Sequence, residues 1–320
     1  MRYFGIDISK DVFDVVDSNG NHYQFKNEYK GFKAFKKRLD KSSHCVMEAT
    51  GYYHYKLAYF LLENHIKVSV ENPLSVKRFI QMKLSKVKTD KSDAKMICDY
   101  AKHVAPKLWE GQSKNQIECL QIIRLLSIYF KQSTALKNKI HGEKVLGSPS
   151  KLVLNSLKKS LKNIQKEILN LETELTKLVR EEHQEKLTLL ESIPGLGRKT
   201  SIMLLVLTDG FERFEQAKGL CSYAGLTPTI RQSGSSVRGQ SRISKVGNQK
   251  LRNLLFMCSF TAYQHNKACR EIYERIVAKG KSKKLALMAV CNKLLKQAFA
   301  IVKSGVKYDE TYRSVQPTIN

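Results

Sequence analysis

Four carboxylates stand where their chemistry is hard to explain as surface. Asp7 interrupts the apolar run Gly5-Ile6-Asp7-Ile8, and Glu48 interrupts Cys45-Val46-Met47-Glu48-Ala49. In a strand, Ile6 and Ile8 face one side and Asp7 the other, and Glu48 likewise opposes Met47 and Ala49. A lone charge in a core-like strand must be paired or hold a cation. Asp90 and Asp93 lie three residues apart in Lys88-Thr89-Asp90-Lys91-Ser92-Asp93-Ala94. Ala94, Ile97, Cys98 and Ala101 follow at i, i+3, i+4 and i+7, the stripe of an amphipathic helix. The two acids then share one helix face, a turn apart. Their plain structural alternative is a helix-start signal, with Asp90 as N-cap and Asp93 in the first turn answering the helix dipole. If all four converge, they offer oxygen ligands on rigid elements, which is what a hard divalent metal requires.

A second candidate is the Gly/Ser/Arg-rich loop over residues 231–248, which holds Ser233, Ser235, Ser236, Ser241 and Ser244. A serine there can attack phosphorus if neighbouring cations offset the developing charge. Serines in such loops are by default turn residues, and spacing alone does not choose among the five. Upstream, Ile193-Pro194-Gly195-Leu196-Gly197-Arg198-Lys199-Thr200 fits either an ordinary glycine-rich turn or a helix-hairpin-helix, whose amides hold a DNA phosphate without reading sequence. Arg198 and Lys199 at this turn, with Arg231, Arg238, Arg242 and Lys245 in the loop, are the candidate nucleic-acid contacts.

The elements that must position these groups fall into three stretches. Residues 1–112 read as an α/β domain. Strands at Tyr3 to Ile8, Val12 to Val16 and His22 to Phe25 form a meander, with Ser18-Asn19-Gly20-Asn21 as its hairpin turn. A helix follows at Tyr29 to Leu39, a strand at His44 to Ala49, a helix at Tyr53 to Asn64 and a strand at Lys67 to Val70. A short helix from Pro73 to Met82 precedes the Asp90 helix. This is the order of the ribonuclease H-like fold, in which the first strand, the fourth strand and a late helix bring acids together. Residues 113–186 read as long polar helices. Leu157, Leu161, Ile164, Ile168, Leu171, Leu175 and Leu178 make a heptad seam, and Ile117, Leu120, Ile123, Leu126 and Phe130 stripe the preceding helix. An antiparallel hairpin and a dimerising coiled coil fit equally. Residues 187–320 read as mostly helical, with helices at Asn248 to Tyr263, Ala268 to Ala278 and Lys283 to Val302.

Composition sets the partner class. The 320 residues carry 56 Lys+Arg against 29 Asp+Glu, a formal net charge of +27, which favours a polyanion such as nucleic acid. A ribosomal or membrane-surface protein shares that balance, but no apolar run reads as a membrane span and Met1-Arg2-Tyr3-Phe4-Gly5 passes straight into a strand without a signal pattern. A cytoplasmic, nucleoid-associated prokaryotic protein is expected. The seven cysteines are scattered without C-x-x-C spacing, so they read as buried free thiols.

The motifs taken together resemble the DEDD transposases of the insertion-sequence-110 family, related to Piv-type DNA invertases. The resemblance is carried by Gly5-Ile6-Asp7-Ile8-Ser9-Lys10, Met47-Glu48-Ala49-Thr50-Gly51, the Lys88–Ala94 heptad and Ile193-Pro194-Gly195-Leu196-Gly197. Tyr223-Ala224-Gly225-Leu226-Thr227-Pro228, Ser233-Gly234 and Ile243-Ser244-Lys245-Val246-Gly247-Asn248-Gln249-Lys250-Leu251-Arg252 extend it to about Ala262. It implies a RuvC-like nuclease domain, a coiled-coil middle and a C-terminal transposase domain. It implies Mg2+, or Mn2+ in its place, on Asp7, Glu48, Asp90 and Asp93, and a serine nucleophile that links to DNA. Ser233, at the matching Ser-Gly five residues after Pro228, takes that role. It further implies donor and target DNA, a guide (bridge) RNA and a homo-oligomer, dimer or tetramer, as partners. Two other classes use the same residues. A RuvC-like Holliday-junction nuclease needs the acids but no serine, and a non-enzymatic nucleic-acid-binding scaffold needs only the basic surface. A covalent protein–DNA adduct separates both from a transposase.

Overall fold

The computed structural model describes residues 2–49, 51–84, 89–229 and 243–311, together with the backbone of 232–233, 237–238 and 242. Arg231, Ser235, Ser236 and Ser241 lie outside the described residues, as does Lys88. The chain divides into two compact units, Met1–Gln112 and Ser113–Asn320.

In the first unit, alternating apolar side chains build β1 (Arg2–Ile8), β2 (Val12–Asp17) and β3 (His22–Lys26) as an antiparallel meander. Gly20, at φ +88°, supplies the left-handed residue of the β2–β3 turn. Then come α1 (Tyr29–Lys36), β4 (Ser43–Glu48), α2 (His54–Glu63), β5 (Lys67–Glu71), α3 (Pro73–Met82) and α4 (Asp90–Val104). The sheet runs β3-β2-β1-β4-β5, with β4 parallel to both β1 and β5. One face buries Phe4, Ile6 and Phe13 against Phe32 and Phe35 of α1 and Leu57 and Leu61 of α2. The other packs Val46 against Val76 of α3 and Ile97 and Ala101 of α4. Each such side chain contributes roughly 1.5–3 kcal/mol when fully buried. Phe4 and Ile6 thus hold β1 from one side, which obliges Gly5 and Asp7 to face α4.

The second unit opens with α5 (Lys114–Val145) and α6 (Lys151–Glu191). They lie antiparallel, since Asn115 Nδ2 at the start of α5 donates to the Leu178 carbonyl late in α6 at 3.0 Å. Serines cap both helices, Ser113 for Gln116 N and Ser150 for Val153 N. Of the heptad seam, Leu175 and Leu178 are buried, while Leu157, Leu161, Ile164, Ile168 and Leu171 are half-buried. The chain therefore supplies its own partner for the seam, as a helical hairpin. Helix α6 kinks at His183, whose φ of −135° departs from helical geometry.

Beyond the hairpin lie α7 (Arg198–Thr208), α8 (Ala217–Tyr223), α9 (Gln249–His265), α10 (Lys267–Ala278) and α11 (Lys283–Ser304). Cys119, Ile123 and Leu126 of α5 and Leu175 and Leu178 of α6 share a single core with Leu204, Leu255 and Leu294. The boundary expected between residues 186 and 187 accordingly falls inside α6, within that core. Four two-residue strands, β6 (Pro228–Thr229), β7 (Gln232–Ser233), β8 (Val237–Arg238) and β9 (Arg242–Ile243), organise what the sequence presents as a loop. Strand β6 pairs with β9, and β7 with β8, both antiparallel.

Contrary to the sequence expectation, α11 is long and apolar enough to span a membrane by length and composition. It is a core helix in this fold, because Val290, Cys291, Leu294, Leu295 and Ala298 are fully buried. Six of the seven cysteines are buried free thiols and Cys258 is half-buried.

Candidate active site

The site grows from a missing side chain. A Cβ on Gly5 would lie 2.3 Å from the Ala94 carbonyl oxygen and 2.1 Å from the Cys98 amide nitrogen, so only glycine lets α4 rest on β1. Cys98 Sγ reaches the Tyr3 carbonyl at 3.7 Å along the same seam. From that contact, Asp7 lies two residues along the strand, and Asp90 one helical turn back along α4. Close packing between Gly5 and Ala94 therefore brings the start of α4 to the end of β1.

Helix α4 begins with a capping box. Thr89 Oγ1 accepts from the Ser92 amide at 3.1 Å, and Ser92 Oγ accepts from the Thr89 amide at 2.9 Å. Asp90 is thus the first helical residue and Thr89 the cap, which corrects the alternative that gave Asp90 the capping role. The carboxylates of Asp90 and Asp93 still meet a favourable dipole at the helix start.

On the sheet, the β1–β4 register ends with Ile6 beside Met47, and one residue further come Asp7 and Glu48, on the face opposite those apolar side chains. Burial first, and then the charges of Asp93, Asp90, Glu48 and Asp14, push Asp7 up to about 6 from 3.8. Asp7 therefore lies near enough to the other three expected acids to feel their charge. Among the described residues, no three His, Cys, Asp or Glu side chains stand close enough together to hold a metal ion. The donor set is nonetheless all carboxylate oxygen, and the repulsion that raises Asp7 is what a divalent cation would relieve.

Two acids that the sequence reading passed over adjoin the group. Asp14 pairs in register with Asp7 and is buried, and it accepts from Gln24 Nε2 at 3.2 Å and meets His22 Nε2 at 2.6 Å. It carries the same signal as Asp7, an acid inside the apolar run Val12-Phe13-Asp14-Val15-Val16. Glu71 pairs in register with Glu48 and accepts from Tyr100 Oη at 2.8 Å. Its place at a strand end gave no local signal.

In the second unit, Ser233 lies in β7 opposite Val237. The motifs on either side of this arm lock together at its base. Gly225, at φ +69°, and Gly247, at φ +136°, leave room for Arg252 and for the Tyr223 carbonyl respectively. Arg252 Nη1 donates to the Ala224 carbonyl at 2.8 Å, and the Asn248 amide to the Tyr223 carbonyl at 2.7 Å. Ser244 donates its amide to the Thr227 carbonyl at 3.0 Å, a backbone role in the arm's base. At the glycine-rich turn, Gly195 adopts φ +93°, and a Cβ there would lie 2.5 Å from Ala262 Cα. Arg198 Nε donates to Glu191 at 2.6 Å and Lys199 Nζ to Glu172 at 2.7 Å, so both cations at this turn are already paired. Arg238 and Arg242 lie in β8 and β9, and Lys245, exposed at φ +56°, follows β9.

An α/β unit with acids at adjacent strand ends and a helical unit, in a chain of net charge +27, define a nucleic-acid-directed protein. Residues 4–146 match the transposase model for DEDD enzymes of the IS110 type, and residues 187–274 match the transposase IS116/IS110/IS902 family. The chain is 31% identical to the pilin gene-inverting protein of Moraxella lacunata, over 96% of this chain and 98% of that one. It is 24% identical to the transposase for insertion sequence element IS1111A of Coxiella burnetii, over 98% of this chain and 92% of that one. The protein belongs to the IS110 family of DEDD insertion-sequence transposases.

Proposed function

We propose that this protein exchanges DNA strands between a donor and a target under the direction of a guide RNA, using the acid quartet Asp7, Glu48, Asp90 and Asp93 together with Ser233. The observation that carries the reading is the close packing of Gly5 on Ala94, which sets the acid-bearing start of α4 at the end of β1 beside Asp7, a carboxyl raised first by burial and then by the charges of Asp93, Asp90 and Glu48. The sheet order β3-β2-β1-β4-β5, with acids at the ends of β1 and β4 and at the start of α4, supports a ribonuclease H-like, RuvC-type first unit. Asp7, Glu48, Asp90 and Asp93 would hold Mg2+, or Mn2+ in its place, which would supply positive charge against phosphate oxygens. The Ser233 hydroxyl loses its proton to solvent and forms an O–P bond to the DNA, and the displaced DNA oxygen leaves carrying a proton. One phosphoester replaces another, so bond energy is conserved for rejoining, which hydrolysis would forfeit. A net charge of +27 suits a complex of DNA and RNA on a dimer or tetramer.

The test is covalent trapping. Protein, guide RNA and labelled donor and target DNA are incubated, then denatured and resolved. A Mg2+-dependent labelled protein band in wild type, absent in Ser233→Ala and in Asp90→Asn, is the expected result. A band that persists in Ser233→Ala but disappears in Ser241→Ala or Ser244→Ala moves the nucleophile to that serine. Cleavage with no band in wild type replaces the reading with hydrolysis.

A further inference from the structure

One group of lysines in the second unit lies together away from the glycine-rich turn. A groove of about 1060 Å³ runs between α8, α11 and the base of the serine arm, and five lysines line it: Lys218, Lys245, Lys284, Lys293 and Lys296. Among the described residues, no carboxylate lines it. None of the five is ion-paired to a described residue, whereas Arg198 and Lys199 are both taken by glutamates. Between the lysines the wall is apolar, formed by Cys221, Leu226, Ile272, Leu285 and Met288. Leu285, Met288, Ala289, Asn292, Lys293 and Lys296 fall at i, i+3, i+4, i+7, i+8 and i+11, one continuous face of α11. Pro228 and Ile243, paired with each other in the β6–β9 ladder, also line the groove.

We infer that this groove binds a single strand of DNA beside the phosphate that the arm engages. Cationic edges around an apolar wall suit an unpaired nucleotide, with phosphates on the lysines and a base against Met288 and Leu226. A duplex keeps its bases stacked inside and gives the apolar wall nothing to cover. Five unpaired ammonium groups would also repel one another until a polyanion neutralised them. The choice of DNA over RNA rests on the function proposed above, because the groove is lined by Pro228 and Ile243, the β6–β9 rung that flanks the Ser233 segment in sequence.

The experiment uses full-length protein and fluorescein-labelled 20-nucleotide probes of one sequence, as single-stranded DNA and as single-stranded RNA. Lys284→Gln, Lys293→Gln and Lys296→Gln are combined. A charge-matched control combines Lys158→Gln, Lys159→Gln and Lys162→Gln on the exposed part of α6. Three lost phosphate contacts should reduce the slope of log affinity against log salt by about 2. Affinity for the DNA probe should fall at least tenfold near 0.15 M salt, with the control close to wild type and the melting temperature of both unchanged. A photoreactive iododeoxyuridine in the DNA should cross-link to the peptide containing Met288. Equal losses in both triple variants, or a loss confined to the RNA probe, overturn the inference. The nucleophile is judged separately. Ser233→Ala should bind the DNA probe as wild type does while forming no adduct, so an adduct in Ser233→Ala refutes the serine and leaves the binding result standing.

Discussion

Gly5 and Ala94 meet so closely that a Cβ on the glycine would stand 2.3 Å from the Ala94 carbonyl oxygen. That contact, between two residues without functional groups, fixes how near the α4 acids come to Asp7.

Gly5→Ala should therefore damage function through geometry. The new methyl meets backbone atoms, which cannot swing aside, so α4 must shift or the first unit lose roughly 1–3 kcal/mol by overpacking. Urea denaturation should show the loss, and adduct formation should fall to background. An NMR titration of Asp7 should show its pKa moving back from about 6 toward 3.8 as the shifted α4 leaves Asp7 less buried and withdraws Asp93 and Asp90. Normal activity together with an unmoved Asp7 would mean that the contact does not set the site.

Asp7 should give the protein a distinctive pH dependence. Its folded pKa is raised, so the folded state holds the proton more tightly than the unfolded chain. The resulting stability is full below about 3.8 and is lost as pH rises through about 6. A rise from 3.8 to about 6 corresponds to about 3 kcal/mol, which screening at a partly exposed carboxylate reduces to roughly 1–2 kcal/mol. In EDTA, Asp7→Asn should accordingly be more stable than wild type at pH 8, with the advantage gone at pH 4. Parallel urea curves for the two proteins across that range would contradict it.

A divalent cation should reverse this penalty. Adding Mg2+ at pH 8 should raise the wild-type melting temperature by a few degrees, and less at pH 5, where Asp7 is largely protonated. Asp90→Asn should lose most of the response while keeping its affinity for nucleic acid. An equal Mg2+ response in the variant would remove Asp90 from the ligand set.

The base of the serine arm should be as intolerant as Gly5. In Gly247→Ala the new Cβ would stand 2.3 Å from the Tyr223 carbonyl oxygen, at a φ of +136° that alanine rarely adopts. Adduct formation should be abolished while the Mg2+ response of the first unit stays as in wild type. A normal adduct yield would show that the arm does not depend on this join.

The hairpin offers a test of packing alone. Leu175 is buried in the core shared by α5, α6 and α7, whereas Leu161, on the same heptad seam, is half-buried. Leu175→Ala should cost about 3 kcal/mol in chemical denaturation and Leu161→Ala about 1 kcal/mol. Equal costs would mean that the seam is uniformly buried, as in a coiled coil with an additional partner.

What the sequence determined by itself is whatever depends on near neighbours. The two-residue alternation around Asp7 and Glu48 set their side chains opposite Ile6 and Met47, and the strand and helix order of the first unit followed from the same periodicities. Glycines between apolar residues marked the turns. Tertiary structure decided everything that depends on distance between remote segments. Asp90 and Thr89 are both good capping residues, and only the hydrogen bonds to Ser92 show that Thr89 caps. Arg198 and Lys199 look available until Glu191 and Glu172 are seen to hold them, the second from 27 residues away. Lys218, Lys245, Lys284, Lys293 and Lys296 are ordinary lysines along the chain, and they become one surface only because α8, α11 and the arm's base pack side by side. Coulomb energy depends on separation in space, which local sequence pattern does not encode; the charge on Asp7 is therefore a property of the fold, although its position on the strand is a property of the sequence.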